Sequence, residues 1–319
     1  MSLADETTVV FPHRRWLLIK QEYHSALLAT VRSRAAWFFG ALLLLALALL
    51  VLKGRMDIII GAAQELVLIP ALALLTIPLT IRVNRLPPLK TNSSRTQLWW
   101  QTGILLLIVL LAAYRNLVLF APNAPKIPGL YTLAYTSIYF LGVSNRPPGN
   151  LVSVPLLYII IPLLLFFVMA LRWSEIGFGR GYHSWRVALL WCVFPVLLFV
   201  KLIMNGAVAS VTQFLQHLLR AVLQNGFSEE FLFRGALLTR LSFLLRPDWA
   251  LVLSAVLYGL FSTGVQAGAV GGDWVVAMAS TILIQAVIGL GTGFLLQRTR
   301  NLLAPTLFQV AWDMYTAFT

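Results

Sequence analysis

From Ala36 to Leu52 the chain reads AWFFGALLLLALALLVL, without one charged side chain. A helix needs about 20 apolar residues to cross the hydrocarbon layer of a bilayer. Comparable runs recur at Ile58–Ile81, from Leu98, at Leu151–Leu171, Val187–Met204, Trp249–Val265, Trp274–Gln297 and Leu302–Phe318. Chains of this kind bury their backbone polar groups inside helices, because lipid offers no partners. The pattern predicts an all-α, polytopic transmembrane helical bundle of about eight or nine spans. The short alternating segments of a β-barrel are absent from the sequence.

Composition agrees with that class. Hydrophobic residues make up 59% of the chain and charged residues 11%, and the mean hydropathy is +0.84. The formal charge of +13 lies mostly in short segments beside the apolar runs. That distribution is the topology bias of membrane proteins and favours anionic lipid. No basic domain or reading motif points to nucleic acid. The single cysteine, Cys192, lies inside an apolar run and permits neither an internal disulfide nor a paired-cysteine metal site.

The opening residues place acids first and carry apolar runs too short for a signal peptide. They read as a partly amphipathic arm on the cytoplasmic face, residues 1–35. Transmembrane helices at 36–171 and a membrane domain at 172–319 complete the expected organisation. The segment Ala121–Asn150, rich in proline, reads as an external loop. Basic linkers at Arg82–Arg95 and Arg172–Arg186, with Arg298 and Arg300, place the amino terminus in the cytoplasm. This orientation requires one net crossing between Gly206 and Leu245. Asn225–Gly226 is expected to break the helix there, with Ser228 capping a new one.

Only eleven acidic residues occur in 319, and Glu229 and Glu230 stand together in NGFSEEFLFRG. Ionisable groups inside spans are costly and face the bundle interior or a partner. Arg234 lies four residues after Glu230 on the same helical face, so a direct pair is expected. Glu229 is rotated by about 100 degrees and is left to face a cavity. A carboxylate held there can activate water as a general base. A structural salt bridge is the competing reading of the same residues.

The EEFLFR stretch resembles the EExxxR motif of the CPBP family of intramembrane proteases. This is the CAAX-protease and bacteriocin-processing group, also called Abi. The resemblance covers about Ser174–Asp313, from SEIGFGRG through the Gly-rich span to QVAWD, and leaves the amino-terminal third uncovered. It implies a hydrolase acting on a peptide bond, with Glu229 activating water and Glu230 and Arg234 orienting the site. The pair on the last helix, Gln309 and Asp313, would bind or polarise the peptide carbonyl. Two positions depart from the family pattern. Where it has Phe-x-x-x-His, this chain has Tyr258 to Ser262; where it has His-x-x-x-Asp, this chain has Gln309 to Asp313. Gln309 can donate to an oxyanion and Ser262 can hold a water. Neither exchanges protons near neutral pH as imidazole does, and losing an acid/base partner costs about 100- to 10,000-fold.

Two readings follow: an intramembrane glutamic-type endopeptidase, and an impaired relative that binds a peptide or transmembrane helix as scaffold or chaperone. A proton- or ion-coupled transporter is a third, though the paired broken repeats of such proteins are missing. His217 could serve Glu229 if their helices formed a hairpin. No metal and no cofactor is expected, since HExxH and paired histidine ligands are absent. The expected partners are membrane lipid and a peptide or membrane-protein substrate, in the cell inner membrane.

Overall fold

The computed structural model describes residues 12–81, 91–121, 123–132, 156–168, 173–208 and 210–318. Among them all regular structure is helical. The first helix, α1 (Pro12–Arg32), is followed at Ser33 by α2 (Arg34–Leu52), then α3 (Met56–Leu79) and α4 (Arg95–Phe120). A short α5 comprises a π turn, Leu156–Ile160, and Ile161–Val168. A 3-10 turn, Trp173–Ile176, leads to α6 (Ser184–Met204).

Helix α7 runs without a break through Val211–Arg220, Ala221–Gly226, Phe227–Glu230, Phe231–Leu238 and Thr239–Leu244; the second and fourth pieces are π-helical. The last helices are α8 (Pro247–Ala269), α9 (Trp274–Leu283), α10 (Gln285–Thr299) and α11 (Leu303–Thr316).

Among the described residues six helical stretches are long and apolar enough to cross a membrane: α2, α3, Arg95–Val118, α6, α8 and Trp274–Thr299. The other expected spans correspond to α5, α7 and α11, which are shorter or more polar. Outward faces are apolar, with Leu44, Ile60 and Phe167 at 69%, 72% and 84% exposure. Such surfaces suit lipid and would aggregate in water. The chain is a multi-pass membrane protein.

Two expectations change at the level of elements. Asn225–Gly226 does not interrupt α7. The Ser228 hydroxyl turns back to the Leu223 carbonyl instead of capping a new helix. Gly226 serves close packing: a Cβ there would meet Val310 Cγ2 of α11 at 2.3 Å. Helix α4 continues to Phe120, passing Gly264 of α8 at backbone contact. Helix α3 runs through Pro70 and Pro78, as neighbouring helices in membranes permit. Most of the expected external loop, and part of the Arg82–Arg95 linker, lies outside the described residues.

Among the described residues two large apolar cores, with a small third cluster around Ala121 and Ala267, hold the bundle. One joins α2, α3, α6, α10 and α11 around Trp191 and Phe308. The other surrounds α7 with α4, α5 and α8, and includes Phe231, Phe233 and Tyr258. The acidic pair lies on α7, where this second core meets α10 and α11.

Candidate active site

Glu230 and Arg234 are 0% and 1% exposed, with Nη1 and Oε1 3.1 Å apart. The four-residue spacing brings them together, although the intervening turns are π rather than α. Among the described residues neither Glu230 oxygen and no Arg234 nitrogen has a well-aligned hydrogen-bond partner. The pair is close, but its geometry is that of a contact between charges. The guanidinium compensates by lying over the Tyr258 ring, 4.3 Å from its centre, where the ring's negative face attracts it. Thr292 of α10 approaches Glu230 while its hydroxyl donates to the Ile288 carbonyl at 3.1 Å.

Glu229 is half-buried, and its Oε2 accepts a hydrogen bond from the Tyr258 hydroxyl at 3.0 Å. Asp313 of α11 is near enough for the two carboxylates to interact electrostatically. Gln309, 3% exposed, donates from Nε2 to Asp313 Oδ1 at 3.1 Å. Asn225, one turn before Glu229, approaches the same aspartate. Glu229, Glu230, Arg234, Gln309 and Asp313 therefore form one polar cluster from two helices, part of it fully buried and part half-buried, and Tyr258 closes it from a third.

The approach of these helices depends on small residues. A Cβ on Gly235 would stand 2.9 Å from the Ile176 carbonyl, in the turn before α6. One on Gly289 would stand 3.2 Å from Ala255 Cα and 3.1 Å from the Tyr258 ring. The run GLGTG thus lets α10 press α8 against the site, as small residues do in membrane bundles. π-turns such as those flanking Glu229 occur often at functional sites.

Residues 210–315 match the family described as Rce1-like, type II CAAX prenyl endopeptidase. Over this segment the chain is similar to the CAAX-protease family. The match contains every residue of the cluster and stops short of α1 to α6. Comparison with curated proteins and with solved structures returned no match.

Two positions where the chain departs from the family pattern differ in their surroundings. Gln309 enters the cluster through Asp313. Ser262 is half-buried, and its hydroxyl donates to the Tyr258 carbonyl of its own helix at 3.1 Å. The hairpin that would bring His217 to Glu229 does not exist. Both sit on the continuous α7, and twelve residues separate them by roughly 18 Å along a helix axis. The imidazole instead packs on Phe318, with centroids 4.8 Å apart. It lines a polar pocket of about 260 Å³ with Arg220, Asn225 and Asp313. A larger apolar cavity of about 820 Å³ lies beneath α1, between α2, α3, α8 and α10, and none of the cluster residues lines it.

Sequence reasoning missed Tyr258, Asn225 and Thr292. The first stood in view as the residue occupying the phenylalanine position of the family pattern, where its hydroxyl is the added group. The other two carry no pattern of their own. Among the described residues no group of three or more His, Cys, Asp and Glu is placed to hold a metal ion.

Proposed function

We propose that the chain is an intramembrane endopeptidase of the CAAX-protease type that uses Glu229 as general base. The observation that carries this reading is the polar cluster of Glu229, Tyr258, Gln309 and Asp313 inside the family-matched segment. Glu229 takes a proton from a water as the water oxygen attacks the peptide carbonyl carbon. The C–N bond then breaks, and the proton passes to the leaving amine. Glu230 and Arg234 hold α7 in register so that Glu229 keeps its direction. Gln309 and Asp313 face the same space from α11 and bind the peptide carbonyl. The substrate is a peptide bearing a prenylated cysteine near its carboxyl end, presented from the membrane.

The wider organisation belongs to the same proposal. Residues 1–35 form an arm on the cytoplasmic side, 36–171 supply supporting helices, and 172–319 carry the site within the cell inner membrane.

A second reading has an observation of its own. Ser262 and Gln309 replace the two histidines, and each directs a donor inside the protein, to the Tyr258 carbonyl and the Asp313 carboxylate. An impaired relative would keep the polar cluster and bind the peptide without cutting it.

A farnesylated fluorogenic CAAX peptide separates the two. In the first reading the wild type cleaves it and E229Q loses at least about 100-fold in kcat/KM. In the second, wild type and E229Q bind the peptide alike and neither cleaves it. Equal cleavage by both proteins would rule out Glu229 as the base.

A further inference from the structure

Tyr258 occupies the middle of the cluster. It is 2% exposed, and three contacts fix its ring. Phe233 meets it edge-on at 5.1 Å, Arg234 lies over its face, and the bare Cα of Gly289 leaves it room. Its hydroxyl reaches Glu229 Oε2 at 3.0 Å. The phenylalanine of the family pattern would supply the ring and leave Glu229 without this bond. Ser262, where the pattern has a histidine, is bonded to its own helix.

A carboxylate that serves as base needs one oxygen aimed at the water and the other prevented from swinging. Rotation about the last side-chain torsion of a glutamate is broad and weakly restrained. A buried tyrosine hydroxyl restrains it, because a hydrogen bond to a charged acceptor is worth more than a neutral one. The same ring carries the Arg234 guanidinium, so the base and the neighbouring ion pair share one support.

We propose that Tyr258 is the positioning residue for Glu229: its hydroxyl holds Oε2 and leaves Oε1 to the water, while its ring seats Arg234. This rests on the endopeptidase reading for its effect on turnover, but not for the contact itself.

The test uses the full chain in detergent micelles with the farnesylated CAAX peptide, and a series of thermal melts. Y258F keeps the ring and removes the hydroxyl. Its kcat should fall about 10- to 100-fold, the scale of a misaimed catalytic group, with KM within about twofold. In the melts, Y258F should lower Tm in the wild type and cause no further loss in E229A, since contacting groups are non-additive. Y258L, which also removes the seat of Arg234, should melt below Y258F. A Y258F protein with wild-type kcat, or melting shifts that simply add, overturns the proposal. If wild type and E229Q cleave equally, the endopeptidase reading fails, and the melting cycle alone decides for or against the Tyr258 contact.

Discussion

Arg234 sits fully inside the bundle with a carboxylate 3.1 Å away and an aromatic face beneath it. Bringing two charges out of water costs several kcal/mol per ion, and their attraction offsets this only while both remain. Removing one partner leaves an uncompensated buried charge. E230A should therefore destabilise the protein by about 3–5 kcal/mol, read as a lower melting temperature in detergent. The paired replacement E230L/R234M removes both charges at similar volume and should melt close to the wild type. A double variant as unstable as E230A would mean that the pair does more than satisfy itself. Glu229 is different in kind: its carboxylate is half-buried and held by one neutral donor, so E229Q should cost activity and little stability.

At the level of helices, the site depends on how closely α4, α8, α10 and α11 approach α7. Gly264 shows the tolerance. A Cβ there would lie 2.1 Å from the carbonyl carbon of Asn116, a backbone atom of α4 that cannot turn aside. G264A should force α8 from α4 and destabilise by about 1–3 kcal/mol, the usual cost of overpacking. Gly268, one turn further along, offers an internal control. Its added Cβ would meet Phe120 at 3.6 Å, an ordinary contact. G268A should be neutral or gain up to about 1 kcal/mol from reduced backbone freedom. Equal melting temperatures for the two variants would show that α4 and α8 are not closely packed at Gly264. The GLGTG run of α10 marks tight packing in the sequence. Which glycine met which helix was not legible there, because an added methyl is excluded only by atoms distant in the chain.

Across the whole molecule, a second buried pair ties the amino-terminal helices to the segment that bears the site. Arg240, 0% exposed, reaches Glu175 Oε2 at 3.2 Å from the end of α7. The same carboxylate accepts from Thr91 at 3.0 Å. Gln101 of α4 lies 3.4 Å from the guanidinium, and Phe166 of α5 faces it at 5.3 Å. The turn Trp173–Ile176 is thereby fastened to α4 and α7, and Ile176 also abuts Gly235 beside the acidic motif. E175A should destabilise by about 3–5 kcal/mol and reduce Glu229-dependent cleavage, although Glu175 is outside the cluster. A variant that melts and cleaves like the wild type would show that the two halves stand independently.

The sequence by itself determined the class of molecule and the pair at its centre. Apolar runs of bilayer length admit only helices, and acids so scarce stand out wherever they fall. Spacing put Glu230 beside Arg234 because partners four residues apart meet on any helical turn. Only the tertiary structure decided that α7 passes unbroken through Asn225–Gly226. Glycine breaks or permits a helix according to its neighbours, and here α11 lies against it. The tertiary structure also decided that Glu229 meets Tyr258 and Asp313 instead of His217 or Ser262. Those contacts join residues far apart in the chain, and no periodicity along α7 encodes what α8 and α11 bring to its side.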